Sequence, residues 1–251
     1  MEKAEAITLD EARELVGDAA LWPRMRDFLW DFAPQVHESW LGGLAVRWLG
    51  SEGSAQSQDN AAAQLPNYLT SSSPRVKRFI LESLGVEPFF HDFPKEDWSR
   101  LALLDGATLL EIAKWLGALA CAGELRRVTN GATVRELKTA LRGVYPEVFG
   151  FTAYFRGLEV LKFGSLDGAK NVAAQVEENG HALLASAVED LSPQLQLRLR
   201  LKLPAAIQAS NLPNIRTSKH PNIQTSKHQL LQVLRKLLKL RFPEAYSLCC
   251  S

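Results

Sequence analysis

Apolar side chains recur at steps of three and four residues along most of this chain, which is the spacing of one face of an α-helix. The best-developed example lies within residues 98–141. Its apolar stripe comprises Leu109, Ile112, Ala113, Leu116, Ala120 and Cys121. A second stripe, ending at Leu141, follows the turn signal Asn130-Gly131. The pattern predicts two helices joined by a tight turn as the hub of the fold.

Start and stop signals bound further helices. Ser73-Pro74 opens a helix that Gly85 closes, because proline suits the first helical turn and glycine suits the position after the last. Other helical patterns occupy residues 8–32, with a break near Trp22-Pro23, residues 169–188 and residues 229–242. Within residues 169–188 the helix either tolerates Gly180 or breaks there.

One segment carries the pattern of a β-strand. From Leu195 to Leu203, leucine alternates strictly with a polar residue, which is the period of a half-buried strand. Ser192-Pro193, just before it, is a helix-start signal, and an isolated strand in a helical chain would leave its backbone groups unpaired. We therefore predict a helix here.

The fold class predicted from these patterns is all-α, with a single compact and mainly helical domain over residues 1–251. Minor strand content stays open, because the aromatic-rich residues 144–163 suit strands as well as helices. Flexible loops are predicted at about residues 51–64, which hold few large apolar side chains, and at about residues 205–228, which hold the tandem repeat PNIRTSKH-PNIQTSKH.

The composition is ordinary for a globular protein, with 46% hydrophobic and 23% charged residues. No apolar run approaches the ~20 residues of a membrane-spanning helix. The N-terminal residues are acidic and polar, where a secretory signal is basic and then apolar. The three cysteines, Cys121, Cys249 and Cys250, offer no disulfide framework. We expect a cytoplasmic protein with Cys121 as a small core residue.

Charge is distributed unevenly along the chain. Residues 191–251 contain 10 Lys or Arg and a single acidic residue, Glu244, whereas residues 1–190 contain 19 Lys or Arg and 27 Asp or Glu. A basic block of this kind is typical of proteins that bind an acidic partner, nucleic acid or a membrane surface. The alternative is that the basic block lies against the chain's own acidic residues.

The basic block ends in the helix predicted over residues 229–242. Its cations are Arg235, Lys236, Lys239 and Arg241. We predict that this helix packs along one side and presents its cations to acidic groups, on a partner or on the chain itself. Residues 191–241 contain no aromatic side chain on which bases would stack, which disfavours nucleic acid, and the wide apolar arc suits packing better than a lipid surface.

Arg126 and Arg127 are further candidates for contact with a partner. They directly follow the long apolar helix, so at least one guanidinium is expected near the core, where it needs a carboxylate or carbonyl partner. Glu124 or Asp105 would supply that partner within the chain. An acid of another protein would supply it from outside.

The tryptophans also form a pattern. Trp22 and Trp30, like Trp40 and Trp48, are eight residues apart, a spacing that keeps both rings on one helix face. They are either core anchors or an exposed aromatic docking patch, and Trp40 is included among the candidate partner-binding residues for the second reason.

Enzyme motifs are missing from the sequence. It contains no G-x-S-x-G, no H-E-x-x-H and no paired C-x-x-C. His91, Asp92, Glu96 and Asp97 lie close together but lack a recognised metal-ligand spacing and a second histidine nearby. No catalytic residue, cofactor or metal site is predicted, and an uncharacterised enzyme that uses these acids and His91 stays an alternative.

Five segments, in order along the chain, resemble the SctK (YscK) family, the accessory subunits of the bacterial type III secretion sorting platform. They are HESWL at 37–41, WSRLALLDGATL at 98–109, LRRVTNGATVRELKTAL at 125–141, LRLKLP at 199–204 and LLQVLRKLLKLRFPEAYSL at 230–248. The resemblance spans most of the chain after about residue 34 and lapses in residues 51–64.

This resemblance implies a non-enzymatic cytosolic adaptor that uses no cofactor. As in that family, it would join the inner-membrane ring protein SctD, through its cytoplasmic domain, to the pod protein SctQ. Through SctQ it would connect to the SctL and SctN ATPase assembly at the cytosolic face of the inner membrane. The alternatives are a basic helical module that binds nucleic acid or a membrane surface, and an enzyme.

Overall fold

The computed structural model describes residues 21–41, 44, 74–87, 98–155, 171–205 and 221–250, the first six of the last range as backbone only. These residues form α-helices, short 3-10 helices and connecting turns, and none of them lies in a β-strand. The predicted all-α fold class is therefore confirmed. No helix in these ranges is long and apolar enough to cross a membrane.

The helices are numbered here in chain order. The α-helices are α1 Trp22–Trp30, α2 Pro74–Ser83, α3 Gly106–Ala120, α4 Ala122–Leu125, α5 Gly131–Ala140, α6 Val148–Phe151, α7 Val172–Ala187, α8 Pro193–Leu201, α9 Pro221–Arg241 and α10 Pro243–Cys250. The 3-10 helices are Ala33–Gln35, Ser99–Leu103 and Thr152–Tyr154.

The chain divides into two compact units. The first unit comprises residues 1–106 and 191–205, and the second comprises residues 107–190 and 206–251. The single domain expected over residues 1–251 stays a prediction, and each unit is described by itself below.

The first unit builds its core from α1, α2, α8 and the 3-10 helix Ser99–Leu103, against which α8 packs. The leucine-rich segment with strand-like alternation is helical, as predicted. The Ser192 hydroxyl caps α8 by accepting a hydrogen bond from the N–H of Leu195 at 3.4 Å. Pro193 occupies the first turn, where its missing N–H costs no hydrogen bond. Capping therefore overrides the alternating pattern.

The second unit is organised around α3, whose side chains Leu109, Ile112 and Leu116 are fully buried. Both helices predicted for the hub form, but the short α4 and residues 126–130 lie between them in place of a tight turn. Asn130 caps α5 by accepting a hydrogen bond from the N–H of Ala132 at 2.8 Å. The turn signal at this position thus starts the second hub helix.

Helix α7 runs through Gly180 without a break, which settles the choice between the two alternatives for this residue. A Cβ on Gly180 would overlap the carbonyl oxygen of Ala113, and one on Gly117 would overlap that of Val176. The backbones of α3 and α7 therefore cross too closely for any side chain at these two positions. Glycine weakens a helix interior, but here it permits the close approach of α3 and α7.

One further boundary prediction holds, and two other predicted segments lie partly or wholly outside the described residues. Helix α2 ends as expected, with Gly85 in the left-handed conformation at φ +81°. The aromatic-rich segment forms turns at residues 144–147 and helices at residues 148–154, and residues 156–163 lie outside the described ranges. The predicted loop at 51–64 also lies outside them.

The second predicted loop needs correction. Helix α9 begins at Pro221, so residues 221–228, the second copy of the repeat, are helical rather than irregular. Proline suits the first helical turn, and no glycine follows it to end the helix. Tertiary contact also helps, since Lys227 forms ion pairs with Glu189 and Asp190. Local polarity alone had indicated a loop.

Candidate docking surfaces and buried cations

Helix α9 has one strongly apolar side. It packs against α7 and α10. Its buried residues are Leu230, Val233, Leu234, Leu237 and Leu238, none more than 6% exposed. This packing confirms the predicted use of the helix's apolar arc and leaves the other side of the helix exposed.

The exposed side carries three of the predicted cations. Arg235, Lys236 and Lys239 are all exposed. Leu240 is 48% exposed and Tyr154 is 63% exposed. The Lys236 ammonium donates to the carbonyl oxygen of Tyr154 at 3.4 Å, which places the backbone of Tyr154 next to this basic side chain. We call these five residues the α9 basic face.

The ends of α9 behave differently. Lys227 pairs with Glu189 at 3.3 Å and with Asp190. Arg241 pairs with Glu147 at 2.6 Å and donates to the carbonyl oxygen of Gly143 at 3.3 Å. The alternative that the basic block lies against the chain's own acidic residues thus holds for these two cations. The contact of the other α9 cations with a partner stays a prediction.

Arg241 has partners within its own unit, and its role in docking stays a prediction. Its guanidinium lies over the Trp115 ring at 4.6 Å and the Phe151 ring at 5.4 Å from their centroids. Trp115 is fully buried and meets Phe151 edge-on, with centroids 5.2 Å apart. Cation–π contacts of this kind stabilise the unit. Arg241 therefore closes the core of its own unit, because aromatic rings and Glu147 lie within its reach.

Arg126 and Arg127 also differ from the prediction. Both are exposed, so neither guanidinium lies in the core. Arg126 donates to the Thr152 hydroxyl at 2.6 Å and to the Phe149 carbonyl at 3.3 Å, in place of the expected carboxylate of Glu124 or Asp105. The chain turns at α4, and this turn carries the two side chains away from the buried stripe of α3.

Trp40 acts as an anchor of the first unit. It is half-buried, and its indole N–H donates to the carbonyl oxygen of Leu203 at 2.8 Å. Trp22 and Trp30 lie on one face as predicted, with ring centroids 6.0 Å apart. Trp30 is 46% exposed, so it is the more accessible member of that pair. Trp48 lies outside the described residues.

Two buried cations, Arg198 on α8 and Lys202 directly after its last residue, were not predicted from the sequence. Arg198 is 1% exposed and Lys202 is 2% exposed. The Arg198 guanidinium donates to the carbonyl oxygens of Phe28 and, at 3.0 Å, of Glu87. It also lies 5.3 Å from the Phe28 ring centroid and 5.1 Å from that of Phe32. Carbonyl dipoles and aromatic faces thus surround a charge that burial disfavours.

Lys202 is held in the same manner. Its ammonium donates to the carbonyl oxygens of Ala102 at 2.6 Å and Leu104 at 2.9 Å, and lies 5.1 Å from the Phe28 ring centroid. Burial lowers the pKa of Lys202 to about 7, an effect that Asp105 opposes and Arg198 reinforces. The amine is therefore close to losing its proton at neutral pH.

Burial also lowers the pKa of Arg198, to about 10, although Glu87 favours the charged form. A usable sequence signal did exist for this site. Arg198 and Lys202 are four residues apart, as are Phe28 and Phe32, so once both segments are helical each pair lies on one face. Nothing in the sequence indicated that the two pairs meet.

A cavity of about 300 Å³ lies between α1 and α2 in the first unit. Its lining residues are Leu29, Trp30, Asp31, Phe32, Ala33, Pro74, Lys77, Arg78, Leu81, Glu87 and Arg198. Lys77 forms an ion pair with Asp31 at 3.2 Å, and so connects the two helices beside the cavity. We call this cavity the Trp30 cleft.

Reactive groups are few in the described part of the chain. It contains no cluster of three or more His, Cys, Asp or Glu side chains able to hold a metal ion. Cys121 is 5% exposed, as expected for a core residue, and its sulfur accepts a hydrogen bond from the Asn179 amide at 3.3 Å. Burial raises the pKa of the Cys121 thiol, which disfavours the nucleophilic thiolate. His91, Asp92, Glu96 and Asp97 lie outside the described residues.

Comparison of the chain with protein-family models, with curated proteins and with solved structures found no match.

Proposed function

We propose that this protein is a non-enzymatic adaptor, and that the α9 basic face is one of its docking surfaces. The observation that carries the proposal is that Arg235, Lys236 and Lys239 stay exposed while Lys227 and Arg241 on the same helix pair with acids of their own unit. An exposed cluster of like charges adds little to the stability of its own fold, but it favours association with an acidic surface.

The face combines charge with apolar area. Tyr154 and Leu240 are 63% and 48% exposed beside these cations. Aromatic side chains with nearby cations are typical of the central contacts of protein interfaces, where the ring is buried and the charges set orientation. This combination favours a folded acidic protein as the partner over a duplex, whose recognition would require contacts along a phosphate backbone.

The resemblance to the SctK family suggests which partners to test. It supports an adaptor at the cytosolic face of the bacterial inner membrane that joins the SctD cytoplasmic domain to SctQ, and thereby to SctL and the SctN ATPase. The segment 230–248, which carries part of that resemblance, contains most of the α9 basic face.

The test measures binding to the SctD cytoplasmic domain and to SctQ from the same bacterium, by surface plasmon resonance at low and high salt. The variant reverses all three charges, R235E, K236E and K239E. A matched control reverses three exposed cations of α5 and its C-terminal turn, R135E, K138E and R142E. Both variants change the net charge equally. A difference between their affinities for a partner therefore shows which of the two surfaces binds it.

We expect the α9 variant to bind one of the two partners at least about tenfold more weakly, a loss of about 1.4 kcal/mol, through slower and less salt-dependent association. Its melting temperature should match that of the control. Unaltered affinity with a lower melting temperature would show that the face serves only the fold. Binding of the unmodified protein to neither partner would remove the SctK-like role.

The enzyme alternative has its own experiment. Alanine replacement of His91, Asp92 and Asp97 should leave secretion unchanged in the bacterium. Loss of secretion by a folded variant with both partner affinities intact would favour catalysis instead.

A further inference from the structure

Helix α2 exposes most of its surface to solvent. It packs against the 3-10 helix Ala33–Gln35, and of its own residues Ile80 alone is buried. One side of the helix carries exposed residues at positions i, i+3, i+4 and i+7, which span about 100° of its circumference. These residues are Arg75, Arg78, Phe79 and Glu82. We call them the α2 outer face.

The α2 outer face has apolar side chains at its centre and at both flanks. Phe79, at the centre, is 56% exposed. Val76 lies three residues before it on one flank and is 39% exposed. Trp30 is 46% exposed and lines the Trp30 cleft together with Arg78, on the other flank. Exposed aromatic rings next to charged side chains are typical of surfaces that contact another protein.

The charges of the face have both signs. The Nε of Arg78 donates to Oε1 of Glu82 at 2.8 Å. This bond uses one carboxylate oxygen, so Oε2 of Glu82 can accept a hydrogen bond from a second donor. Arg75 has no acidic residue three or four positions away in the sequence. The face therefore contains a donor and an acceptor that its own helix does not bring together.

The order of these residues is self-complementary in the antiparallel direction. Arg75 and Glu82 lie about 10 Å apart along the helix axis, and the midpoint of the face falls between Arg78 and Phe79. A two-fold axis through this midpoint places Arg75 of one copy opposite Glu82 of the other, and Arg78 opposite Phe79. Each contact then occurs twice, as two ion pairs and two cation–π contacts. Parallel pairing would instead oppose like charges.

A second copy fits this face better than a polyanion does. An acidic surface or a phosphate backbone would repel Glu82, whereas an antiparallel copy uses both signs of charge and the aromatic ring. We propose that the α2 outer face is a self-association surface, on which a second copy of this chain packs its own α2 antiparallel about a two-fold axis.

The size of the face sets the strength of the dimer. One helix of ten residues with its flanks is smaller than the roughly 800 Å² that each partner contributes to a standard interface. The dimer is therefore weak, with a dissociation constant of about 100 μM. It forms where copies of the chain are locally concentrated.

This inference goes beyond the adaptor function and does not depend on it. The α2 outer face and the α9 basic face belong to different units of the chain. Failure of the dimer leaves the docking of a partner on α9 testable, and failure of that docking leaves the dimer testable.

The experiment is sedimentation equilibrium of the full chain at concentrations up to about 1 mM, above the expected dissociation constant. Arg75→Glu places acid opposite acid in the dimer, and Glu82→Arg places arginine opposite arginine. An equimolar mixture of these two variants restores opposite charges in both ion pairs, because each chain supplies the charge that the other has lost. Phe79→Ser removes the central ring.

We expect Arg75→Glu and Glu82→Arg, each alone, to dimerise at least about tenfold more weakly than the unmodified chain. Their mixture should associate within about threefold of the unmodified affinity. Phe79→Ser should also weaken the dimer at least about tenfold. All three residues are exposed, so the melting temperatures should stay close to that of the unmodified chain.

A matched pair of controls lies on α5. Arg135→Glu and Glu136→Arg make the same changes in net charge at exposed residues of the other unit. Alone or mixed, they should change the dissociation constant of the dimer by less than about twofold.

Three results would overturn the proposal. The first is an unmodified chain that stays monomeric over the whole concentration range. The second is a mixture of Arg75→Glu and Glu82→Arg that associates no better than either variant alone, which excludes the antiparallel pairing. The third is an equal loss of association in the α5 controls, which would indicate a general effect of charge.

Discussion

Helices α8 and α9 are built from the same kinds of residue and use their cations in opposite ways. Both are rich in leucine, both contain several Arg or Lys, and neither contains an acid. Arg198 in α8 and Lys202, the residue that caps its C-terminal end, are almost fully buried. In α9, Arg235, Lys236 and Lys239 are exposed.

The difference lies in what each helix faces. Arg198 and Lys202 meet two phenylalanine rings and four backbone carbonyl oxygens, which offset part of the cost of removing a cation from water. Helix α9 instead buries a continuous set of leucine and valine side chains, which provide no dipole or aromatic ring to stabilise a buried cation. Its cations occupy the opposite side of the helix.

Arg241 is intermediate between these two cases. It is partly exposed, with 32% of its side chain accessible, and it has both aromatic rings and a carboxylate within reach. The three situations teach that the surroundings of a cation, rather than its place in a basic stretch, decide whether it stabilises the fold or stays available to a partner.

The largest expected effect comes from Arg198→Ala. The change removes a buried side chain from two aromatic rings and leaves the carbonyls of Phe28 and Glu87 without this donor, so the free energy of unfolding should fall by about 2–5 kcal/mol. Arg235→Ala, on the exposed side of α9, should change it by less than about 0.5 kcal/mol. Urea titrations of both variants measure the difference, and similar losses would erase the contrast between the helices.

The second prediction concerns pH. The folded pKa of Lys202 is about 7 and the ordinary value is 10.5, so between these values the unfolded chain binds more protons than the folded one. The free energy of unfolding should therefore rise with pH from 7 towards 9.5, by at most about 1.4 kcal/mol per unit from this group. Below pH 7 both states are protonated, so the cost of burying the charged amine is fully present and this group adds no further pH dependence.

Matched variants isolate the Lys202 contribution. Lys202→Met should flatten the pH dependence above pH 7, whereas Lys236→Met, which removes an exposed amine, should preserve it. A flat profile in the unmodified protein would show that the buried amine keeps its ordinary proton affinity.

The third effect is smaller and concerns Arg241. Arg241→Lys keeps the charge beside Glu147 but loses the planar contact with Trp115, so we expect the free energy of unfolding to fall by about 1 kcal/mol. Trp115 fluorescence should change in the folded state, which separates a local effect from global unfolding. If Arg241→Lys loses as much free energy of unfolding as Arg241→Met, the positive charge contributes nothing by itself. The stabilisation then comes entirely from the planar guanidinium.

The smallest expected effect on stability is that of Lys239→Ala. This side chain is exposed, so the free energy of unfolding should change by less than about 0.5 kcal/mol. Association with an acidic partner should still become slower at low salt, as measured by surface plasmon resonance. A large loss of stability would show that Lys239 stabilises the fold, as Arg198 and Arg241 do.

The sequence by itself determined the helical class and most helix positions, because spacing, caps and turn residues act locally. Ser192-Pro193 prevailed over an alternating pattern, Asn130 started α5 and Gly85 ended α2. It also located the cluster of exposed cations on α9. The helix was predicted to start at residue 229 but starts at Pro221. The polar residues there suggested a loop, and the ion pairs of Lys227 cannot be read from the sequence.

Tertiary structure alone decided which cations are buried. Arg198 and Phe28 are 170 residues apart in the chain, and local patterns carry no information about contacts at that separation. The same holds for Arg241 over Trp115 and for the Trp30 cleft, which forms only when α1 and α2 are brought together. The free energy of a charge depends on the dipoles, rings and water around it, and those surroundings exist only in the folded chain.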